Sequence, residues 1–315
     1  MKDEYKAGRR AVAFLLVLAA AVLASCTAAR APLPYYEEAV YDWEHGSIVI
    51  CPQIRHAFRN EYQPRIMKVN AMRIDISDKE IGFAATMGDP DAGKPMPDCP
   101  EMEIVTRRAT TRSFLEQARK PVQEGGRGLD MVVAVNASPW SPWKAPWNHK
   151  YACRLGLIVN EGKLVSEGNG RPAFMVRKDG RAFIAKADKD FDISDIAYAV
   201  GGFEQILTAG KVSGNDTVLA PRTGYGISED GRFMVIVTVD GRQRNYSEGC
   251  TVAELGRILR YLGCHDGINM DGGGSTTLLY WDKDSGKAVK CNHQGGGIER
   301  SNGSNFGIIL RPQGL

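Results

Sequence analysis

Short apolar runs recur along this chain and are separated by glycine-containing turns, a pattern that predicts a protein built mainly from β-strands. The predicted strands are 67–76, 81–85, 131–135, 155–159, 163–166, 173–177, 182–185, 196–200, 223–227, 233–239, 280–282 and 306–310. Residues 110–120 can form a helix, and 251–262 is the clearest helix, because Thr251 and Glu254 make a capping box before an apolar face. Without a repeat or interdomain linker, the pattern predicts one α+β domain with mixed or antiparallel sheets flanked by a few helices.

The N-terminal segment predicts export. Four basic residues lie within the first ten, and the apolar run at 11–25 is shorter than the roughly 20 residues needed to span a bilayer. The run ends in Leu23-Ala24-Ser25-Cys26, which is similar to the bacterial lipobox, whose cysteine becomes lipidated. We therefore expect a lipoprotein signal peptide at 1–25, a lipid-anchored tether and loose lead-in at 26–63, and a folded domain at 64–315 in the cell envelope. Ordinary cleavage near Ala24 and a poorly inserted anchor are the alternatives.

The near-balanced charge excludes the strongly positive surface that nucleic-acid binding requires. Forty Lys and Arg against 37 Asp and Glu give a net charge of +3. Removing 1–25 takes away four basic and two acidic residues, so the mature charge is 3 − 2 = +1. An even set of cysteines then remains after Cys26, which favours disulfides in an oxidising compartment, with free buried thiols as the alternative. That set is Cys51, Cys99, Cys153, Cys250, Cys264 and Cys291.

The densest chemistry lies at 266–277. Asn269 and Asp271 are two residues apart, which places both side chains on one side of an extended backbone. Three glycines (272–274) follow, and their N–H groups can form an anion-binding nest beside the carboxylate, with hydroxyls from Ser275 and Thr276. A strand ending in a flexible turn is the simpler reading of the same residues.

Two upstream motifs add charge. Arg222-Thr223 precedes a glycine-tyrosine-glycine strand, and Asp240-Gly241-Arg242 follows the next one. Arginine is the side chain suited to bidentate phosphate contacts. Taken alone, each arginine is better explained as a solvated surface charge, and Asp240-Gly241 as a hairpin turn.

Taken in order, these motifs resemble the phosphodiester glycosidase family over about residues 66–310, most specifically from Arg222 to Thr277. The resemblance implies a hydrolase that cleaves the glycosidic bond of a sugar-1-phosphate diester in envelope or exogenous glycans, releasing free sugar and a phosphomonoester. Two places depart from the family pattern. Asn136 is followed by Ala-Ser-Pro-Trp instead of Gly-Gly-Phe-Phe, and the link from Arg300 to Asn305 is altered. Both departures bear on substrate choice more than on reaction class.

The resemblance also assigns expected roles. Arg222 and Arg300 would clamp the phosphate, and the N–H groups of 272–275 would add donors. The expected catalytic carboxylates are Asp271, Asp240 and Glu299, with Asp271 foremost. The remaining expected substrate-binding residues are Asn136, Asn269, Asn305, Thr223, Gly272, Gly273, Gly274, Ser275, Thr276, Trp140 and His149.

Several alternatives stay open at this stage. Trp140, Trp143 and Trp147 lie in a proline-rich loop and form either a sugar-stacking wall or ordinary loop packing. No cofactor is expected, although a divalent cation near Asn269 and Asp271 is an open alternative. A lipoprotein that binds phosphorylated glycans without cleaving them, or a metal-dependent phosphodiesterase that breaks the P–O bond, fits the same residues.

Overall fold

Antiparallel pairing between strands distant in sequence organises the fold. The computed structural model describes residues 40–63, 65–144 and 148–311, all within one compact unit, Tyr36–Leu315. The predicted signal peptide, Cys26 and Trp147 lie outside the described residues. In the part of the chain that is described, every paired strand runs antiparallel to its neighbour, and no helix is long and apolar enough to cross a membrane.

The first sheet has eight strands, in the order β1-β2-β3-β18-β17-β19-β15-β16. Its members are β1 (Ile48–Cys51), β2 (Ile54–Glu61), β3 (Met67–Asp75), β15 (Glu204–Thr208), β16 (Lys211–Val212), β17 (Arg222–Ile227), β18 (Phe233–Val239) and β19 (Asp266–Asn269). The two halves of the chain meet where β3 pairs with β18 over the whole length of β18.

Two five-stranded sheets complete the architecture. One has the order β11-β10-β14-β12-β13, formed by β10 (Ile158–Asn160), β11 (Lys163–Ser166), β12 (Arg171–Arg177), β13 (Ala182–Ala187) and β14 (Ile196–Gly201). The other has the order β21-β20-β8-β22-β4, formed by β4 (Ile81–Ala85), β8 (Asp130–Asn136), β20 (Leu278–Asp282), β21 (Lys287–Lys290) and β22 (Asn305–Leu310). Two short ribbons pair β5 (Pro95–Met96) with β6 (Cys99–Glu103) and β7 (Thr106–Arg107) with β9 (Tyr151–Ala152).

Three α-helices are described: α1 (Trp43–Gly46), α2 (Thr111–Arg119) and α3 (Val252–Tyr261). The predicted capping box of α3 is present, because the Thr251 hydroxyl accepts from the N–H of Glu254 while the Glu254 carboxylate accepts from the N–H of Thr251. Helix α3 packs its buried face, Leu255 and Leu259 included, against the first sheet. Short turns of 3₁₀ helix lie at Val122–Glu124 and Gly273–Ser275.

One hydrophobic core joins the three large sheets. Tyr225 from the first, Phe174 from the second and Phe306 from the third are fully buried, and their ring centroids lie 5.8 to 6.1 Å apart. Edge-to-face and tilted contacts of this kind stabilise beyond the area they bury. The hydroxyl of Tyr225 donates to the carbonyl of Asn136 at 2.8 Å, which ties the core to the end of β8.

The structure corrects several predictions. The fold is dominated by antiparallel strands, so the α+β assignment holds only in part, and no mixed sheet is present among the described strands. The expected loose lead-in contains β1 and β2. Their charged residues, such as Arg55 and Arg59, concealed the strand pattern, because only Ile54, Ala57 and Glu61 of β2 are buried.

The disulfide prediction is wrong. All six cysteines in the described residues are unpaired, and five of them are buried. Burial raises the pKa of the Cys250 and Cys264 thiols well above the usual value, so both are held as uncharged, apolar-like side chains. An even count therefore reflected the use of cysteine as a small core residue.

Removal of the Thr251 hydroxyl tests whether this N-cap stabilises α3. We expect Thr251→Ala to lower the free energy of unfolding by about 1–2 kcal/mol, because an N-cap hydroxyl and its bond to Asp216 are both lost. Urea unfolding followed by circular dichroism measures this change. Thr251→Ser keeps the hydroxyl and is the matched control, and equal stability of the alanine and serine variants would contradict the assignment.

Candidate active site

The predicted carboxylate Asp271 lies at the junction of the first and third sheets. It follows β19 by two residues, and its N–H donates to the carbonyl of Ala137 at 2.9 Å. Its own carbonyl accepts from the side-chain amide of Asn136 at 2.7 Å. With only 7% of its surface exposed, Asp271 continues the chain from β19 of the first sheet and is bonded to Asn136 and Ala137 at the end of β8 in the third.

Asn136 holds this junction together. Its side-chain oxygen accepts from the hydroxyl of Thr223 at 2.9 Å and from the N–H of Thr277 at 3.0 Å, and its amide group donates to Asp271. Asn136 and Thr223 are completely buried. Both residues were expected to contact substrate, and the structure instead shows them bonded to each other, so they position Asp271 and the turn after it.

The carboxyl group of Asp271 is electrostatically unusual. Burial raises its pKa from 3.8 to about 6, although Ser275, the N–H of Gly272, the charge of Arg300 and Trp140 all act to lower it. The Gly272 N–H donates to Oδ1 at 3.0 Å. The Ser275 hydroxyl and the Trp140 indole N–H face the carboxyl group outside full hydrogen-bond geometry, which leaves Oδ2 without a well-formed bond among the described residues.

The glycine turn does not form the predicted anion nest. The N–H groups of Gly272, Gly273, Ser275 and Thr276 already donate within the protein, two of them closing a 3₁₀ turn. The glycines serve a different purpose. Gly273 has a φ of +62°, and a Cβ at Gly274 would lie 2.5 Å from Nη2 of Arg300.

Two guanidinium groups therefore rest on this turn. Arg300 lies against Gly274, and Nη1 of Arg242 lies 3.3 Å from the position of a Cβ at Gly273. Any larger residue at Gly274 would push Arg300 away. The triple glycine thus provides space for arginine side chains beside Asp271. The positive charge at this turn comes from Arg242 and Arg300, which lie outside the glycine motif.

Aromatic rings and arginines alternate above Asp271. The guanidinium of Arg108 lies 4.2 Å from the ring centroid of Trp140, and that of Arg300 lies 4.9 Å from the ring centroid of Trp143. The two indoles are 4.4 Å apart, with Trp140 buried and Trp143 47% exposed. Of the predicted aromatic wall, only Trp143 is open to solvent in the described part of the chain.

These arginines face an open cleft of about 660 Å³. We call it the basic cleft; its lining residues are Arg107, Arg108, Asn148, His149, Lys150, Ile298, Glu299, Arg300 and Ser301. Arg108 is fixed there, because Nε donates to the carbonyl of Ser301 at 2.9 Å and Nη1 to that of His149 at 2.6 Å. Asp271 does not line the cleft; it is buried, and Trp140 and Arg300 both act on its carboxyl group.

The predicted phosphate clamp is only half present. The guanidinium of Arg222 donates to the carbonyl of Val218 at 3.0 Å and to that of Cys250 at 3.4 Å, so it fastens a loop. Arg300, the other member of the predicted clamp, lines the basic cleft. Arg108 stands beside it, and nothing in the sequence distinguished Arg108 from the other arginines.

The other two predicted carboxylates are bound within the protein. Asp240 is buried and accepts from Asn292 at 3.1 Å and from the N–H of His293 at 3.0 Å. Burial raises the pKa of Asp240, against the lowering effect of these two donors. Glu299 lines the basic cleft, but its Oε1 accepts from Nε and Nη2 of Arg112 at 3.0 and 2.9 Å.

Three further predicted residues also lie in structural positions. Asn269 pairs with Gly224, where a Cβ would meet Leu255, so Asn269 lies on the α3 face of the first sheet. The side chain of Asn305 accepts from the hydroxyl of Thr111 at 2.7 Å and anchors the start of α2. Thr276 is buried, and its carbonyl accepts from Asn292 at 3.0 Å.

His149 is an anchor for the loop between β8 and β9. Its Nδ1 lies 2.9 Å from Oδ2 of Asp98, and its Nε2 lies 3.1 Å from the carbonyl of Lys144. The imidazole is buried, and the residue reaches the cleft through its carbonyl bond to Arg108. Across residues 40–63, 65–144 and 148–311, no group of three or more His, Cys, Asp or Glu side chains is arranged to hold a metal ion.

Comparison with known proteins decides the family. The model of the phosphodiester glycosidase family matches residues 130–309, more than half of the chain. The chain belongs to the phosphodiester glycosidase family. A search of curated proteins found no match.

Solved structures share the fold of this chain at low identity. The catalytic domain of zebrafish N-acetylglucosamine-1-phosphodiester alpha-N-acetylglucosaminidase, auto-inhibited by its pro-peptide, matches with a TM-score of 0.58 and 16% identity over 88% of this chain and 87% of that one. A hypothetical protein from Synechocystis matches at 0.55 and 13% over 84% and 63% of the two chains. A putative exported protein from Burkholderia pseudomallei matches at 0.51 and 15% over 78% and 74%.

The raised pKa of Asp271 leads to a prediction about stability. The folded protein binds the Asp271 proton more tightly than the unfolded chain does, so stability falls as pH rises from about 4 to about 6 and stays lower above that range. We expect Asp271→Asn to raise the free energy of unfolding above pH 6 by up to about 3 kcal/mol, and to have no such effect at pH 4.

Urea unfolding at pH 4 and pH 7.5 measures this difference. Asp190→Asn, which removes an exposed carboxylate, is the matched control and should show no comparable dependence on pH. A variant Asp271→Asn that is less stable than the natural protein at pH 7.5 would contradict the assignment of Asp271 as a desolvated carboxylate.

Proposed function

We propose that this protein hydrolyses the glycosidic bond of a sugar-1-phosphate diester. In this reaction a water oxygen bonds to the anomeric carbon, and the bond from that carbon to the phosphate oxygen breaks. The phosphate leaves with the bonding electrons as a phosphomonoester, and the proton lost by water passes through a carboxylate to solvent. Family membership supports a hydrolase of this kind, and the zebrafish relative carries an N-acetylglucosamine-1-phosphodiester in its name.

The arginines of the basic cleft are the proposed phosphate ligands. Burial lowers the pKa of the Arg108 guanidinium, and the charge of Arg300 lowers it further, against the opposing charge of Asp98. A phosphate bound beside both guanidinium groups would offset the repulsion between them. Both side chains also stack on indole rings, which presents their N–H groups at fixed orientations.

Asp271 is the proposed catalytic carboxylate. With a pKa of about 6 it is mostly ionised at neutral pH, yet basic enough to accept a proton from water. A phosphate leaving group is a weak base, so a strong general acid is not required on the other side of the bond. Asp240 and Glu299, tied to Asn292 and Arg112, are proposed to support the site without taking part in chemistry.

The two indoles complete the proposed substrate site. The exposed ring of Trp143 offers an apolar face of the kind on which sugar rings stack, and Trp140 separates Arg108 from Asp271. Arg300 lines the cleft and its charge also acts on Asp271, so this side chain connects the two. The observation that carries the proposal is a buried carboxylate, with one oxygen lacking a hydrogen bond, next to a cleft that Arg108 and Arg300 line.

Hydrolysis in oxygen-18 water tests the reaction class. We expect the label in the released sugar when a methyl sugar-1-phosphate diester is the substrate, because the C–O bond breaks. Asp271→Asn should reduce turnover by at least about 1,000-fold, since the base is lost while the fold is kept. Label in the phosphate would identify a phosphodiesterase instead, and the absence of hydrolysis across a panel of sugars would leave a glycan-binding protein.

The arginine assignment has its own test. Arg108→Ala and Arg300→Ala should each lower kcat/KM for the diester by about 10- to 100-fold, the loss expected for a charged hydrogen-bond pair. An aryl glycoside lacking phosphate should be affected much less. Arg222→Ala is the matched control and should affect both substrates equally and weakly. A larger loss in Arg222→Ala than in Arg300→Ala would overturn the assignment.

A further inference from the structure

We infer that the phosphate of the substrate is esterified to a long-chain alcohol, whose hydrocarbon chain lies in an apolar groove next to the basic cleft. This inference deepens the proposed function and rests on it. It concerns the part of the substrate that leaves with the phosphate, and it predicts an alkyl phosphate as the second product.

The groove lies between α2 and the loop after β4. It has a volume of about 440 Å³, and its walls include Ala85, Met87, Pro90, Ala109, Phe114 and Ala118. Met87 is 54% exposed, so a large apolar side chain faces solvent at this place. Concave apolar surface of this kind is the usual lining of a small-molecule site.

The groove is continuous with the proposed phosphate site. Arg107 and Arg108 line the apolar groove and also line the basic cleft, so the two depressions share one wall. That wall is fixed on both sides. Nε of Arg107 donates to Asp89 of the groove at 2.9 Å, and Arg108 donates to the carbonyls of Ser301 and His149 in the cleft. A phosphate held by Arg108 therefore lies at the mouth of the groove.

The polar groups of the groove favour a hydrocarbon over a sugar or a peptide. The Ser113 hydroxyl donates to the carbonyl of Thr110, and the Gln117 amide donates to the carbonyl of Gly125 at 2.6 Å. Arg127 is paired with Glu161 at 2.8 Å, and Asp89 is paired with Arg107. These internal bonds occupy polar groups of the groove, and the walls between them are apolar, which suits a hydrocarbon better than a ligand rich in hydroxyl or amide groups.

The arrangement therefore matches an amphiphile with its charge at one end. Two arginines stand where the phosphate would be, and apolar walls continue from them. The predicted lipidation of Cys26 would keep the domain beside a membrane, where a lipid-linked sugar phosphate is presented.

Binding of alkyl phosphates tests the inference without requiring turnover. We compare methyl phosphate with n-octyl phosphate below its micelle concentration by titration calorimetry on the whole protein. Each buried methylene strengthens binding by up to about fourfold, so we expect n-octyl phosphate to bind at least about 100-fold more tightly. Met87→Glu should reduce this octyl-to-methyl ratio at least about tenfold while leaving the affinity for methyl phosphate unchanged.

Val218→Glu is the matched control, because Val218 is 57% exposed and lies outside the groove. It should leave the ratio unchanged. A ratio near one in the natural protein, or a ratio that Met87→Glu does not alter, would overturn the groove assignment. Hydrolysis of a methyl diester with no gain from a longer chain would overturn it while the proposed function stands. Octyl phosphate binding without hydrolysis of any diester would support the groove and count against the proposed reaction.

Discussion

The buried side chain of Asn136 is the interaction on which the candidate site depends. Its amide joins β8, β17 and the segment after β19, three pieces of chain that are far apart in sequence, through bonds to Thr223, Thr277 and Asp271. A buried amide whose oxygen accepts two hydrogen bonds tolerates little displacement, since each lost hydrogen bond leaves an unpaired polar group. The carboxylate of Asp271 is therefore held by a scaffold whose own geometry is over-determined, as a preorganised catalytic group requires.

Around that scaffold, charge is arranged in layers. Asp271 is buried near the Trp140 indole and the Arg300 guanidinium, and Arg108 and Arg300 both line the open cleft. Burial raises the pKa of the carboxyl group, and Ser275, the Gly272 N–H and Arg300 limit the rise, so that the pKa is about 6. The glycine turn makes the layering possible, because it lets Arg300 approach the backbone at a distance that a side chain would prevent. Keeping this carboxylate desolvated lowers the free energy of unfolding of the protein above about pH 6.

The parts of this molecule that were predictable from sequence are those fixed by local pattern. The capping box of α3 needs only Thr251 and Glu254 at their spacing, and strands such as β4 and β18 are recognisable from their continuous apolar residues. Asp271 was identifiable because its motif is dense and resembles a known family. The direction of a long side chain is not local in this sense: Arg222 and Arg300 look alike in sequence, but loop geometry turns one toward Val218 and the other toward Gly274. The position of the Glu299 carboxylate was likewise not predictable, because it is set by Arg112, which lies 187 residues away in sequence.

The sheet order carries a consequence for where the folding unit begins. The match to the family model starts at residue 130, yet β3 supplies the neighbour of β18 along residues 233–239, and β4 supplies the neighbour of β22. A chain shortened to the family match would expose the backbone donors and acceptors of two long apolar strands, which are ready templates for pairing with other copies. The boundary of the family-model match is therefore not the boundary of the folded sheets, because β3 and β4 cover the edges of β18 and β22 and leave them no free edge for pairing with another copy.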